Sequence, residues 1–154
     1  MDLSALKPSE LIRLAVGDMK KVEQSEEHTL DMDDWYYDLD NGGCSVCMAG
    51  AVMLYTNKMR DSLYKANNEY GSAGQAVRGS KYAARYVALD ELRKGDYLRF
   101  CEYLGVPTKQ TQMLHNEVRE LDRNGIYYMM YSVSPVRFYE FVEGVAEFLD
   151  SVGY

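Results

Sequence analysis

The sequence predicts a mainly α-helical protein: a single compact helical domain of five or six helices, with at most one short β-hairpin. Three observations predict this fold. Apolar residues recur at three- and four-residue spacing in several segments, as they do on the buried face of an amphipathic helix. Residues that start and stop helices, such as Pro8 and Gly95, flank these segments. The length of 154 residues fits one domain with a core of its own.

Six helices are predicted in chain order. Pro8 suits a first turn, and the apolar spacing continues from there to about residue 24. The second helix, residues 44–57, is apolar on all sides and is therefore predicted to be buried. Gly50 in its interior is unfavourable for a helix, so it predicts that another element approaches closely there. The remaining helices are predicted at 80–94, at 96–104, from 108 to near Gly125, and from Ser134-Pro135 onward.

Two loops separate these helices. Residues of about 25–43 form an acidic loop, which we call the acidic segment. Residues of about 67–79 are rich in glycine and are predicted to be a flexible loop. Only Thr29–Tyr37 and Ile126–Tyr131 resemble strands, and apolar runs this short cannot be assigned by periodicity.

The negative charge of the chain is concentrated in one place. The whole chain carries 17 Lys and Arg against 24 Asp and Glu, a net charge of −7. Eight acids lie between Glu23 and Asp40, and residues 22–57 contain no Lys or Arg, so the rest of the chain has a net charge of +1. One interpretation is a solvated loop that keeps the protein soluble. The other is an electronegative surface that attracts a basic partner.

The aromatic content has two interpretations, which are helix faces that pack with tyrosine hydroxyls at their rims and a face or pocket that binds a partner. The chain has 14 tyrosines, and tyrosine is enriched in protein interfaces because it buries apolar area while keeping a polar tip. Our leading hypothesis is a non-enzymatic protein that binds a host protein with a basic surface. The predicted partner-binding residues are Asp31, Asp33, Asp34, Trp35, Tyr36, Tyr37, Asp38 and Asp40.

A second hypothesis is a sponge for a small nucleotide-like signal. Cationic and aromatic residues follow the Gly-rich loop, where they could stack on a planar ligand and contact its phosphate. The predicted ligand-binding residues are Arg78, Lys81, Tyr82, Arg85 and Tyr86.

A third hypothesis rests on the C-x-x-C pair, Cys44 and Cys47, which is typical of zinc and thiol-redox sites. A structural zinc takes four ligands, and no second close pair of ligands is present in the sequence. Neighbouring acids would raise the pKa of the thiols and oppose redox activation. Small buried cysteines are the alternative, and we expect no cofactor.

Composition excludes several other classes. The net charge argues against direct nucleic-acid binding, and no apolar run approaches the roughly 20 residues of a membrane span. Common catalytic motifs such as G-x-S-x-G and H-E-x-x-H are missing, so we expect no catalytic residues. Three cysteines, an odd number, and the lack of an apolar leader indicate a cytoplasmic protein. The sequence is compatible with a homo-oligomer.

Residues 9 to about 54, roughly a third of the chain, resemble uncharacterised small proteins of bacteriophage and prophage genomes. The resemblance lies in D-M-x-x-W, which begins at Asp31, and in C-x-x-C-x-A-G-A, which begins at Cys44. It implies a role in the host cytoplasm. Small acidic accessory proteins of phages are often inhibitors of host defence, anti-CRISPR proteins among them, so it also implies a host-defence factor as the partner.

Overall fold

The computed structural model describes residues 1–122 and 130–154 and confirms a mainly helical fold, with 63% helix. A short 3-10 helix, Leu3–Ala5, precedes eight α-helices in the described residues, so the expected five or six helices were too few. The sheet has three strands and is not a hairpin. The elements in order are α1 (Pro8–Gln24), β1 (Thr29–Leu30), β2 (Tyr36–Asp38), β3 (Cys44–Val46), α2 (Met48–Leu54), α3 (Arg60–Tyr70), α4 (Gly74–Arg78), α5 (Ala83–Arg93), α6 (Tyr97–Tyr103), α7 (Thr108–Asp122) and α8 (Pro135–Ser151).

The two unexpected helices are α3 and α4, and they occupy most of residues 67–79, which we predicted to be a loop. α3 buries only Leu63 and Ala66, too few apolar residues to give a helical period. Gly71, in the left-handed conformation at φ 70°, ends this helix. The glycines of this region therefore mark a helix end and a short connection between two helices.

Residues 44–57 were predicted as one helix, and this was wrong. Cys44 begins strand β3, Cys47 is the extended N-cap residue of α2, and the helix α2 covers only Met48–Leu54. Because every residue from Cys44 to Met53 is buried, the run has no polar face from which its type could be recognised.

Strand β3 pairs with two strands from the acidic segment. The strand order is β1-β3-β2, with β1 parallel and β2 antiparallel to β3. Thr29 and Tyr37 are both in register with Ser45, and Leu30 and Tyr36 are both in register with Val46. The acidic segment thus contains two short strands that are hydrogen-bonded to the core.

Two glycines allow this segment to lie against its neighbours, as predicted for Gly50. A Cβ atom added to Gly50 would lie 2.2 Å from the carbonyl oxygen of Trp35. A Cβ added to Gly43 would lie 1.7 Å from the carbonyl oxygen of Glu27. Both contacts are far shorter than any side chain tolerates, so these positions require glycine.

The core lies where α1 packs on α2 and α8, and where α5 packs on α2 and α6. The predicted hydrophobic helix, α8, buries Phe138, Phe141 and Val145 on this side. No helix among residues 1–122 and 130–154 has the length and apolar character that a membrane crossing needs. Residues 123–129 lie outside the described residues, and with them the predicted helix end near Gly125 and most of the strand-like run Ile126–Tyr131.

The Gly50 contact gives a first prediction. Gly50→Ala should lower the free energy of unfolding by about 1–3 kcal/mol, because the new methyl group overlaps the Trp35 carbonyl. The measurement is urea unfolding followed by fluorescence of Trp35, the single tryptophan.

Gly17→Ala is the matched control. Gly17 lies within α1 with no atom within 4 Å of an added Cβ, so alanine there should stabilise the helix by up to about 1 kcal/mol. Equal effects of the two substitutions would contradict the close approach at Gly50.

Candidate partner-binding site

The small sheet has one apolar and one polar face. Val46 and Tyr36 are 0% and 3% exposed and face the core. The neighbouring row consists of Thr29, Ser45 and Tyr37, because successive strand residues point to opposite sides. Thr29 Oγ1 donates a hydrogen bond to Ser45 Oγ at 3.3 Å. A row of three hydroxyl groups therefore crosses the sheet.

This hydroxyl row lies in a cleft of about 450 Å³. The acidic segment, the end of α5 and the turn before α8 form its walls. Two carboxylates, one guanidinium and two phenol rings of these walls carry its polar character: Asp31, Asp33, Arg93, Tyr37 and Tyr131. Leu30, Leu39 and Met130 add apolar surface. The cleft can therefore offer acceptors, donors and aromatic faces at once.

The predicted partner-binding residues differ in accessibility. Asp33, Asp34 and Asp40 are exposed, and Tyr37 is 57% exposed. Asp31, Trp35 and Asp38 are half-buried. Tyr36 is buried in the core, so it cannot contact a partner as we expected.

Some acids of the stretch have internal roles. Glu23 Oε1 accepts hydrogen bonds from the hydroxyls of Tyr131 at 2.6 Å and Tyr139 at 2.5 Å. Burial raises the pKa of both phenols, and the Glu23 carboxylate raises it further. Asp38 likewise accepts a hydrogen bond from the Tyr36 hydroxyl. These contacts fix Tyr131 at the cleft wall. Asp33, Asp34 and Asp40 remain exposed, as do Glu26 and Glu27.

Sequence reasoning missed three side chains that organise this region: His28, Arg60 and Arg93. His28 Nδ1 accepts a hydrogen bond from the Cys44 backbone N–H at 3.1 Å and lies 3.3 Å from Cys44 Sγ. Arg60 donates to the carbonyl oxygen of Gly42. Arg93 pairs with Asp90 at 2.8 Å. His28 lies beside Cys44 because β1 pairs with β3. Arg60 and Arg93 belong to α3 and α5, which are distant in sequence. No local motif could therefore have indicated these three residues.

The predicted nucleotide-binding residues do not form one pocket. Arg85 donates to the carbonyl oxygens of Leu6 and Ser4, at 3.2 and 3.0 Å, and so holds the N-terminal turn. Tyr86 is fully buried, and Asn57 donates to its hydroxyl.

The other three residues of that set are accessible. Lys81 and Tyr82 line a separate cavity of about 350 Å³, while Arg78 is exposed at the end of α4. Two of the five residues thus serve the packing of the fold.

The cysteines have the properties of core residues. Cys44, Cys47 and Cys101 are buried and free, and burial raises the pKa of each thiol to about 11. A thiol with so high a pKa is a poor nucleophile at neutral pH. Within the two described ranges, no three His, Cys, Asp or Glu side chains come together as a metal site requires.

Comparison with known proteins gives no further guide to the site. No protein-family model, no curated protein and no solved structure matches the chain significantly.

The hydrogen bond to His28 predicts a dependence of stability on pH. Burial lowers the pKa of His28, and Arg60 lowers it further while Glu27 partly opposes the shift. Cys44 and the edge of the Tyr55 ring also face this imidazole. The unfolded state therefore binds more protons, and the free energy of unfolding should fall as the pH drops below about 6.5. For one group the slope is at most about 1.4 kcal/mol per pH unit.

Urea unfolding at a series of pH values between 7.5 and 5.5 measures this slope. His28→Gln should flatten it, because the titrating group is removed. His115→Gln is the matched control, since it removes the other histidine of the chain. A larger flattening in the His115 variant would contradict the assignment.

Proposed function

We propose that this chain is a non-enzymatic binding protein that recognises a basic surface of a partner protein through the exposed acids of its acidic segment. The observation that carries the proposal is the fixed arrangement of Asp33, Asp34, Asp40 and Tyr37. All four are exposed, and they belong to a segment that is hydrogen-bonded to β3 on both sides.

Fixed charges are more effective than charges on a mobile loop. Binding to a preformed surface does not require the segment to become ordered. The loss of conformational entropy on binding is therefore smaller. Gly43 and Gly50 hold the backbone of this segment against its neighbours. The exposed carboxylates therefore keep their spacing before the partner arrives.

Electrostatic complementarity favours a basic partner. A surface with several negative charges accelerates association with a positive one and disfavours acidic proteins by repulsion. Tyr37, with more than half of its surface exposed, adds an aromatic contact of the kind that is enriched in interfaces. Residues 22–57 contain no Lys or Arg, so no cation of the same stretch weakens this attraction.

The resemblance to phage accessory proteins leads us to propose a host protein as the partner. Under that resemblance the partner is a host protein in the cytoplasm, and an inhibitor of a defence system, similar to an anti-CRISPR protein, is the role that fits. Many such host factors bind nucleic acid and carry basic surfaces, which an acidic protein can occupy.

Charge reversal at the two adjacent acids tests the proposal. Asp33→Lys with Asp34→Lys should weaken binding to a basic host protein by about tenfold or more at low salt, since two attractive charges become repulsive. The readout is affinity capture from bacterial lysate with quantitative mass spectrometry, followed by titration of the purified partner. The thermal unfolding midpoint should stay within a few degrees of the wild type, because both side chains are exposed.

The matched control reverses two exposed acids elsewhere, Glu117→Lys on α7 and Glu147→Lys on α8. It changes the net charge by the same amount and should leave capture intact. A partner retained by the Asp33/Asp34 variant, or lost equally by both variants, would overturn the role of the acidic segment.

A further inference from the structure

We propose that the cleft over the sheet receives an extended, basic segment of the partner. Its backbone carbonyl groups point to the donors at the floor, and a Lys or Arg side chain lies between the carboxylates at the rim. This inference rests on the proposed function and assigns the part of the surface where the partner inserts.

The floor of the cleft offers hydrogen-bond donors to a bound group. The Arg93 side chain is only 11% exposed, and within the described part of the chain its guanidinium donates one hydrogen bond, from Nε to Asp90. Asp90 is shared, because Lys94 Nζ lies 3.0 Å from its other oxygen. The two terminal nitrogens of Arg93 are therefore available to a bound group.

Ser45 is the second donor at the floor. It is 4% exposed, and its hydroxyl oxygen accepts the hydrogen bond from Thr29. Either hydroxyl of this pair can donate, so one of its two protons is left for a bound group. A carbonyl oxygen that enters the cleft can accept that proton.

The rim carries the opposite chemistry. Asp33 is exposed, and Asp31 uses one carboxylate oxygen to accept the Asp33 backbone N–H at 2.9 Å, which leaves the other oxygen open. Tyr37 and Tyr131 stand beside them as aromatic walls, and Glu23 fixes the hydroxyl of Tyr131. Carboxylates next to aromatic rings and apolar side chains suit the charged head and apolar stem of Lys or Arg.

Hydrogen-bond donors at the floor of the cleft and carboxylate acceptors at its rim together favour one class of ligand. A phosphate group would meet the carboxylates of Asp31 and Asp33, and a metal cation would meet the guanidinium of Arg93. A polypeptide with a basic side chain satisfies both layers, and about 450 Å³ is within the usual range for ligand sites.

Two neighbouring acids provide the test. Asp33 lines the cleft, whereas Asp34 is equally exposed but does not line it. The probe is a blocked, fluorescein-labelled hexapeptide of alternating Ala and Arg, with Gln in place of Arg as the neutral control. Fluorescence anisotropy should show that Asp33→Asn raises the Kd about tenfold and Asp34→Asn less than about twofold.

Ser45→Ala tests the floor separately from the rim. Loss of its hydroxyl should raise the Kd about fivefold, without changing the Trp35 emission that reports on the fold. Equal effects of the Asp33 and Asp34 variants, no effect of Ser45→Ala, or equal binding of the Arg and Gln peptides would each overturn the cleft as the insertion site. Capture of the partner by the full acidic surface is measured independently, so the proposed function can survive the failure of this inference.

Discussion

The pairing of β3 with both strands of the acidic segment is the constraint on which the rest of this surface depends. β3 is only three residues long and is buried, yet it supplies hydrogen bonds to β1 on one side and β2 on the other. Short strands are weak by themselves. Here the backbone carbonyls of Glu27 and Trp35 also press against Gly43 and Gly50, so pairing and close packing hold the same segment. The exposed acids are therefore carried by a segment that is held at both of its strands.

Holding eight acids within one stretch costs electrostatic repulsion, and the fold reduces it by using some of them internally. Glu23 accepts hydrogen bonds from two tyrosine hydroxyls, and Asp38 accepts one from a third tyrosine. Arg60 brings a positive charge to the turn at Gly42. Phenol donors and opposite charges stabilise the carboxylates that they contact. The other exposed carboxylates of the stretch are not involved in these contacts. Glu26, Glu27, Asp33, Asp34 and Asp40 remain as exposed charges of the stretch.

Local signals in the sequence predicted the elements whose apolar residues recur at a clear helical spacing. They could not predict elements that depend on contacts between residues far apart in the sequence. The first helix was predicted at 8–24 and observed at Pro8–Gln24, because Pro8 and a full apolar stripe define it. α3 and α4 have almost no apolar stripe, and β3 is buried on both faces. At the site, Asp33 and Tyr37 were found from charge and aromatic content. Arg93 was not, since it comes from a helix about 60 residues further along the chain.

The two patterns D-M-x-x-W and C-x-x-C-x-A-G-A combine positions that pack with positions that face solvent. Met32 is 7% exposed, both cysteines are fully buried, and Gly50 accommodates the carbonyl of Trp35. The two unspecified positions of D-M-x-x-W are Asp33 and Asp34, the exposed acids between the buried Met32 and the half-buried Trp35. Packing requirements restrict the first set, whereas solvent-exposed positions accept most side chains at little cost in stability. We therefore expect substitutions at Asp33 and Asp34 to change the charge of this surface while the three strands and α2 keep their packing.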